Sequence, residues 1–231
     1  MYRYSVGVGN LFRGAIFTLA FCTNVERAAS EDYPSSSWLP KWEPPSSVTF
    51  ESPFNSENWS IGAYGGVYNR NRLTYFIVAP WKVTSTWDHD YMVAGNAVYT
   101  ILHFPYVPID LEFDVTVADH FGQEQFFEFG ALPMFRWKWF PWNNFVYTTL
   151  RMGPFGASYT TVISALEASE TAGLHTARYL NLYIAEWTFA PGEPSRWEAF
   201  VRVHHRSGIY GHINGVSGGS NYVNLGYRFH F

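Results

Sequence analysis

Residues 109–117 alternate without a fault. Ile109, Leu111, Phe113, Val115 and Val117 fall on one side of an extended chain, and Asp110, Glu112, Asp114 and Thr116 on the other. A period of two belongs to a β-strand whose two faces meet different surroundings. The pattern recurs over 124–139, where Phe127, Phe129, Ala131, Phe135, Trp137 and Trp139 oppose Glu128, Gly130, Arg136 and Lys138. It closes the chain as well, with Val223, Leu225, Tyr227, Phe229 and Phe231 set against Asn224, Arg228 and His230. Taken along the chain, the pattern predicts eight strands, at about 58–67, 89–103, 108–118, 124–139, 144–153, 178–189, 197–207 and 221–231.

The connections between these strands differ systematically in length. Three are short and carry proline, at 104–108, 140–144 and 190–195. Three are longer, at 68–88, 154–177 (with a helical turn at 164–169) and 208–220, and the link at 119–123 is the exception. Bacterial outer-membrane barrels have an even number of antiparallel strands, with short periplasmic turns and longer outer loops. Trp137, Trp139, Trp142, Trp187 and Trp197 gather beside the short turns, where an interfacial aromatic girdle belongs. The expectation is an all-β, eight-stranded antiparallel up-and-down transmembrane β-barrel. A soluble lipocalin-like barrel also alternates, but with its apolar face inward. The loop rhythm and the aromatic C-terminus favour the membrane form. Asp110, Glu112, Asp114 and Glu128 then share the interior with Arg136, Arg151, Arg202 and Arg228, where pairing makes their burial tolerable.

Composition sharpens this picture. Aromatic residues make up 20% of the chain and charged residues only 15%, while mean hydropathy is slightly negative. Apolar and polar residues are therefore interleaved rather than blocked. At the N-terminus Arg3 and Arg13 flank the apolar run Ala15–Cys22, followed by Ala28-Ala29-Ser30. That run is too short for a membrane-spanning helix, and residues 1–30 read as a secretory signal peptide. Residues 31–57, rich in Pro and Ser, read as an extension ahead of a barrel over 58–231. The chain's one cysteine, Cys22, lies in the leader, so the mature chain has no thiol for disulfides, catalysis or metal binding. The mature chain has 12 basic residues against 18 acidic ones. With no basic stripe to meet phosphates, nucleic acid is not an expected partner.

One strand carries more than structure. In 197–207, Glu198, Phe200, Arg202, His204 and Arg206 share the charged face, and Trp197, Ala199, Val201, Val203, His205 and Ser207 share the apolar one. With the N-terminus periplasmic, this strand runs outward and places His205 and Ser207 at the outer rim, on the lipid side. An imidazole beside a hydroxyl is the pairing that attacks esters, with His as general base and Ser as nucleophile. Gly208, Gly218 and Gly219 are candidates to leave backbone N–H groups for an oxyanion.

Residues 199–231, AFVRVHHRSGIYGHINGVSGGSNYVNLGYRFHF, resemble the end of PagL-like lipid A deacylases. These are eight-stranded outer-membrane barrels that hydrolyse an acyl ester of lipid A with a Ser, a His and a Glu on the outer surface. His205 and Ser207 match the family's His-x-Ser, while Gly208 stands where the family has Asn. No Asp or Glu follows Glu198, and Ser220 and Asn221 occupy the neighbourhood of the missing acid. The resemblance implies Ser207 as nucleophile, His205 as base and Asn221 or Ser220 as substitute orienting group. Asn181, across the 190–195 turn, is a further candidate neighbour of His205. The implied substrate is lipid A or lipopolysaccharide among outer-membrane lipids, with no cofactor and no metal. The last residues also resemble the signal read by the barrel assembly machinery. The alternative is a non-catalytic barrel with a structural or loop-binding role, which the absent acid favours.

Overall fold

The computed structural model describes residues 46–84, 86–169, 175–192 and 195–231. The predicted signal peptide and the first part of the 31–57 extension lie outside them. The strands are β1 (Thr49–Phe50), β2 (Trp59–Asn69), β3 (Trp87–His103), β4 (Ile109–Phe121), β5 (Phe126–Trp137), β6 (Tyr147–Gly153), β7 (Ala157–Thr160), β8 (Tyr179–Ala190), β9 (Trp197–Ser207) and β10 (Gly219–His230). All pair antiparallel. β10 pairs with β2 from Tyr222↔Tyr68 to His230↔Ser60, which closes the sheet into a barrel. With β6 and β7 in line, eight staves surround the interior.

β6 and β7 are one stave broken by a bulge. Opposite β5, the pairs Phe135↔Met152 and Ala131↔Ala157 leave one extra residue on the β6–β7 side. Pro154 has no N–H for the ladder, and a Cβ on Gly156 would collide with Leu132. Asn181 of β8 pins the bulge, accepting from Gly156 N at 3.2 Å and donating to the Pro154 carbonyl at 3.2 Å. The expected loop over 154–177 is thus shorter, 161–178, and carries α2 (Ala165–Ser169), close to the predicted helical turn. The 70–86 loop holds a helix that the sequence pattern did not predict, α1 (Leu73–Val78). At the other end, β1 pairs with His103 and Leu102 of β3, continuing the edge where β2 stops at Trp59↔Tyr99. The extension from residue 46 onward therefore contributes to the sheet.

The two faces separate as the alternation requires. Val93, Val115, Val117, Phe127, Phe129, Leu225 and Tyr227 stand exposed on the outside. Inside, Arg151, Arg202 and Arg228 converge on Glu186 at 2.6–2.7 Å. Glu112 adds a 2.6 Å pair to Arg151 and Asp114 a 2.7 Å pair to Arg202, while Arg136 reaches Glu198 at 2.9 Å. Higher up, Glu128 holds His120 at 3.0 Å and His204 at 2.9 Å. An apolar exterior around a charged interior is the reverse of a soluble barrel and is suited to a bilayer. The Trp197–Phe229–Phe231 and Phe140–Trp142–Trp187 clusters mark the end with the short turns. The chain is an outer-membrane β-barrel; by the arrangement general to such barrels, the short turns mark the periplasmic end and the 70–86, 161–178 and 208–218 loops the outer one.

Candidate active site

His205 and Ser207 lie near the outer end of β9. Register sets their neighbours: His205 faces Asn221 on β10 and Tyr183 on β8, and Ser207 faces Gly219 and Asn181. These side chains line an outer-surface groove of about 740 Å³. Arg70–Thr74 of the first loop, Pro154 and Phe155 of the bulge, and Ile209 and Tyr210 complete its walls. The bulge is what brings Phe155, 65% exposed, to the groove wall.

The imidazole is oriented through one nitrogen. His205 Nδ1 lies 3.0 Å from the Ser220 carbonyl oxygen and 2.8 Å from Asn221 Oδ1. A carbonyl can only accept, so Nδ1 carries the proton and Nε2 keeps its lone pair. The Asn221 amide is oriented in turn by its other end, since Nδ2 donates to the Asn71 carbonyl at 2.8 Å. That fixes Oδ1 toward the ring. Asn71 is itself tied down, its backbone N–H donating to Asn69 Oδ1 at 2.9 Å and its Nδ2 to the Thr84 carbonyl at 2.8 Å. A general base positioned through Nδ1 with Nε2 free is the arrangement that takes a proton from a neighbouring hydroxyl. Here the orienting group is neutral.

The turn after Ser207 is strained and tightly bonded. Ile209, Tyr210 and Asn214 have φ of 47°, 54° and 52°, unusual for side-chain-bearing residues and costly for the β-branched Ile209. Four backbone bonds hold it: Ile213 N to Gly208 O and Gly211 N to Val216 O, both 2.8 Å, with His212 N to Ile209 O and Val216 N to Ile213 O at 3.1 Å. Buried Val216 plugs its centre. A Cβ on residue 208 would fall on the Val216 carbonyl oxygen, which accounts for Gly208 where the resembled family has Asn. Gly208 N–H itself donates to Gly218 O at 3.4 Å, while Gly218 and Gly219 line the groove.

Of the residues singled out from sequence, His205 and Asn221 are hydrogen-bonded on the outer face, and Ser207 lines the same groove without a hydrogen bond to His205. Ser220 does not join them through its side chain. It pairs with Arg206, points inward, and donates from Oγ to Glu167 Oε1 at 3.0 Å, so only its carbonyl reaches His205. Parity with the outward Val223 and Leu225 was the signal that separates the two, since it places Asn221 outward and Ser220 inward. Asn181 sits opposite Ser207 rather than His205 and is occupied by the bulge.

Two residues carried no sequence signal for this site. Asn71 is 150 positions from its partner Asn221. Glu167, 1% exposed, is carried on α2 into the barrel mouth, where Arg206 Nη1 donates to both its oxygens at 3.0 and 3.2 Å and Thr176 Oγ1 donates at 2.7 Å. Burial pushes its carboxyl above the ordinary range, against the opposing pull of Arg206. Among the described residues, no three His, Cys, Asp or Glu side chains are grouped to hold a metal ion.

No family model and no curated protein sequence matches the chain. Its fold is similar to that of the outer membrane enzyme PagL, at 10% identity and a TM-score of 0.50, over 74% of this chain and 99% of that one. Neisserial surface protein A aligns over 75% of this chain and 97% of its own at 9% identity, with a TM-score of 0.41. The Yersinia pestis outer membrane protein Ail aligns over 74% and 99% at 11% identity, with a TM-score of 0.32.

Proposed function

We propose that this barrel is a PagL-like hydrolase that removes an acyl chain from lipid A in the outer leaflet. The observation that carries the reading is the His205 ring, held at Nδ1 by the Ser220 carbonyl and Asn221, in one lipid-facing groove with Ser207. In this reading His205 Nε2 takes the Ser207 hydroxyl proton as Oγ attacks the ester carbonyl. Collapse of the tetrahedral adduct expels the sugar- or acyl-linked oxygen, which receives that proton and leaves an acylated Ser207. Water, deprotonated by the same nitrogen, then releases the fatty acid and restores the serine. In this reading Arg72, exposed at the groove, meets a headgroup phosphate. Fold similarity to an outer membrane enzyme supports the reading without assigning its chemistry.

The test is mass spectrometry of lipid A from cells expressing the chain. Loss of one acyl chain is expected, and Ser207→Ala abolishes it. An unchanged profile from well-expressed, heat-modifiable barrel refutes the reading. One observation favours a rival, a non-catalytic barrel with a structural or loop-binding role: the residue beside His205 is a neutral amide where a triad has an acid.

A further inference from the structure

Among the described residues no carboxylate is hydrogen-bonded to His205 on the outer face, but the opposite side of the same backbone has one. Ser220 stands between them. Outward, its carbonyl accepts from His205 Nδ1 at 3.0 Å; inward, its hydroxyl donates to Glu167 at 3.0 Å. Glu167 also holds Arg206, the residue next to His205, whose side chain is 2% exposed. The other acid near Arg206 is Glu128, 3.7 Å from Nε, but its oxygens already accept from His120, His204 and Ser158. Glu167 is therefore the carboxylate that engages the Arg206 fork through Nη1.

We propose that Glu167 is a positioning residue for the site, acting through Ser220 and Arg206 on His205. The inference rests on the hydrolytic reading above. Two effects follow from its geometry. First, the bond to the Ser220 hydroxyl anchors the start of β10, and with it the carbonyl and the Asn221 side chain that aim the ring. Second, the carboxylate offsets a buried cation one residue from the imidazole, which takes on positive charge as Ser207 attacks. The groups facing Glu167 are Arg206 from β9, Ser220 from β10 and Thr176 from its own loop, with Glu128 of β5 behind Arg206. A loop clasp with no bearing on chemistry would use the same contacts, so the test must separate the two roles.

Ser220→Ala cuts the link to the carbonyl and leaves the Glu167–Arg206 pair in place; Glu167→Gln removes the charge. In the purified full-length barrel both are expected to keep heat-modifiable migration. Each should lower kcat on purified lipid A by about five- to tenfold, the worth of one or so hydrogen bonds, with KM little changed. Nitrogen NMR of the histidine rings gives a readout independent of turnover: His205 shows the Nδ1–H tautomer in the parent and a tautomer mixture in Ser220→Ala. Unchanged kcat together with unchanged ring signals, even with a more protease-sensitive 161–178 loop, overturns the proposal. Should Glu167→Gln not fold, Ser220→Ala decides. Should the parent itself not deacylate, the hydrolytic reading fails, and a ring tautomer indifferent to Ser220→Ala then sinks the positioning role too.

Discussion

At the scale of single residues, the site depends on one amide. Asn221 accepts from the imidazole and donates to Asn71, so its two ends tie the first outer loop to the general base. Asn221→Ala removes one of two acceptors at Nδ1 and the anchor to Asn71, but leaves the Ser220 carbonyl. A loss of about tenfold in kcat is expected, from a bond worth roughly 1–1.5 kcal/mol, measured as lipid A turnover by the purified barrel. Asn221→Asp does not simply restore a triad. Its oxygen would face the Asn71 carbonyl without a proton to share, so the gain in charge at the ring comes with an unsatisfied acceptor. Gly208→Asn, which recreates the resembled family's motif, is expected to lower thermal stability and activity together, because the new Cβ meets the Val216 carbonyl. A Gly208→Asn barrel as stable and active as the parent would show that the 208–218 turn is not built as described.

At the scale of elements, the strands were legible and the joins were not. Each stave shows its own period of two, because lipid on one side and ion pairs on the other select opposite residues at every step. That is why β4, with Asp110, Glu112 and Asp114 turned inward, could be read from nine residues. The bulge broke the rule. Pro154 and the glycines at 153 and 156 carry loop chemistry, so β7 looked like part of a connection although it extends β6. α2 was visible as a helical turn, but nothing local indicated that Glu167 turns inward to Arg206. In the structure Ser164 caps the helix, accepting from Glu167 N at 2.9 Å, and the Glu167 carboxylate turns into the barrel. The consequence for the loop is a pH dependence. A carboxyl whose folded value is raised gives stability that is fully present below its ordinary value near 4.5 and is lost as pH rises through the raised one. Docking of the 161–178 loop should therefore weaken as pH climbs above the ordinary carboxyl value. Protease nicking across that range should show the slope in the parent and little slope in Glu167→Gln; a slope of opposite sign in the parent contradicts the assignment.

At the scale of the whole molecule, the interior is organised around Glu186. Three arginines meet its two oxygens, and each also reaches a second carboxylate: Glu112 for Arg151, Asp114 for Arg202 and Glu198 for Arg228. Replacing one member leaves buried charges uncompensated, which typically costs about 3–5 kcal/mol. Glu186→Ala should accordingly lower the urea midpoint of the folded barrel far more than Glu51→Ala, at the periplasmic edge. Equal midpoints would mean that hydration already screens the interior.

The same packing has an electrical consequence. Arg151, Arg202, Arg228 and Glu186 are fully buried and joined across the lumen, so they fill the middle of the barrel with paired charge rather than water. Reconstituted in a planar lipid bilayer under an applied voltage, the protein should pass no steady current and show no unitary steps. Glu186→Ala, which leaves three guanidinium groups without their shared partner and opens space at the middle of the barrel, is where current should first appear, favouring anions. The residues that fill this barrel make it an insulator.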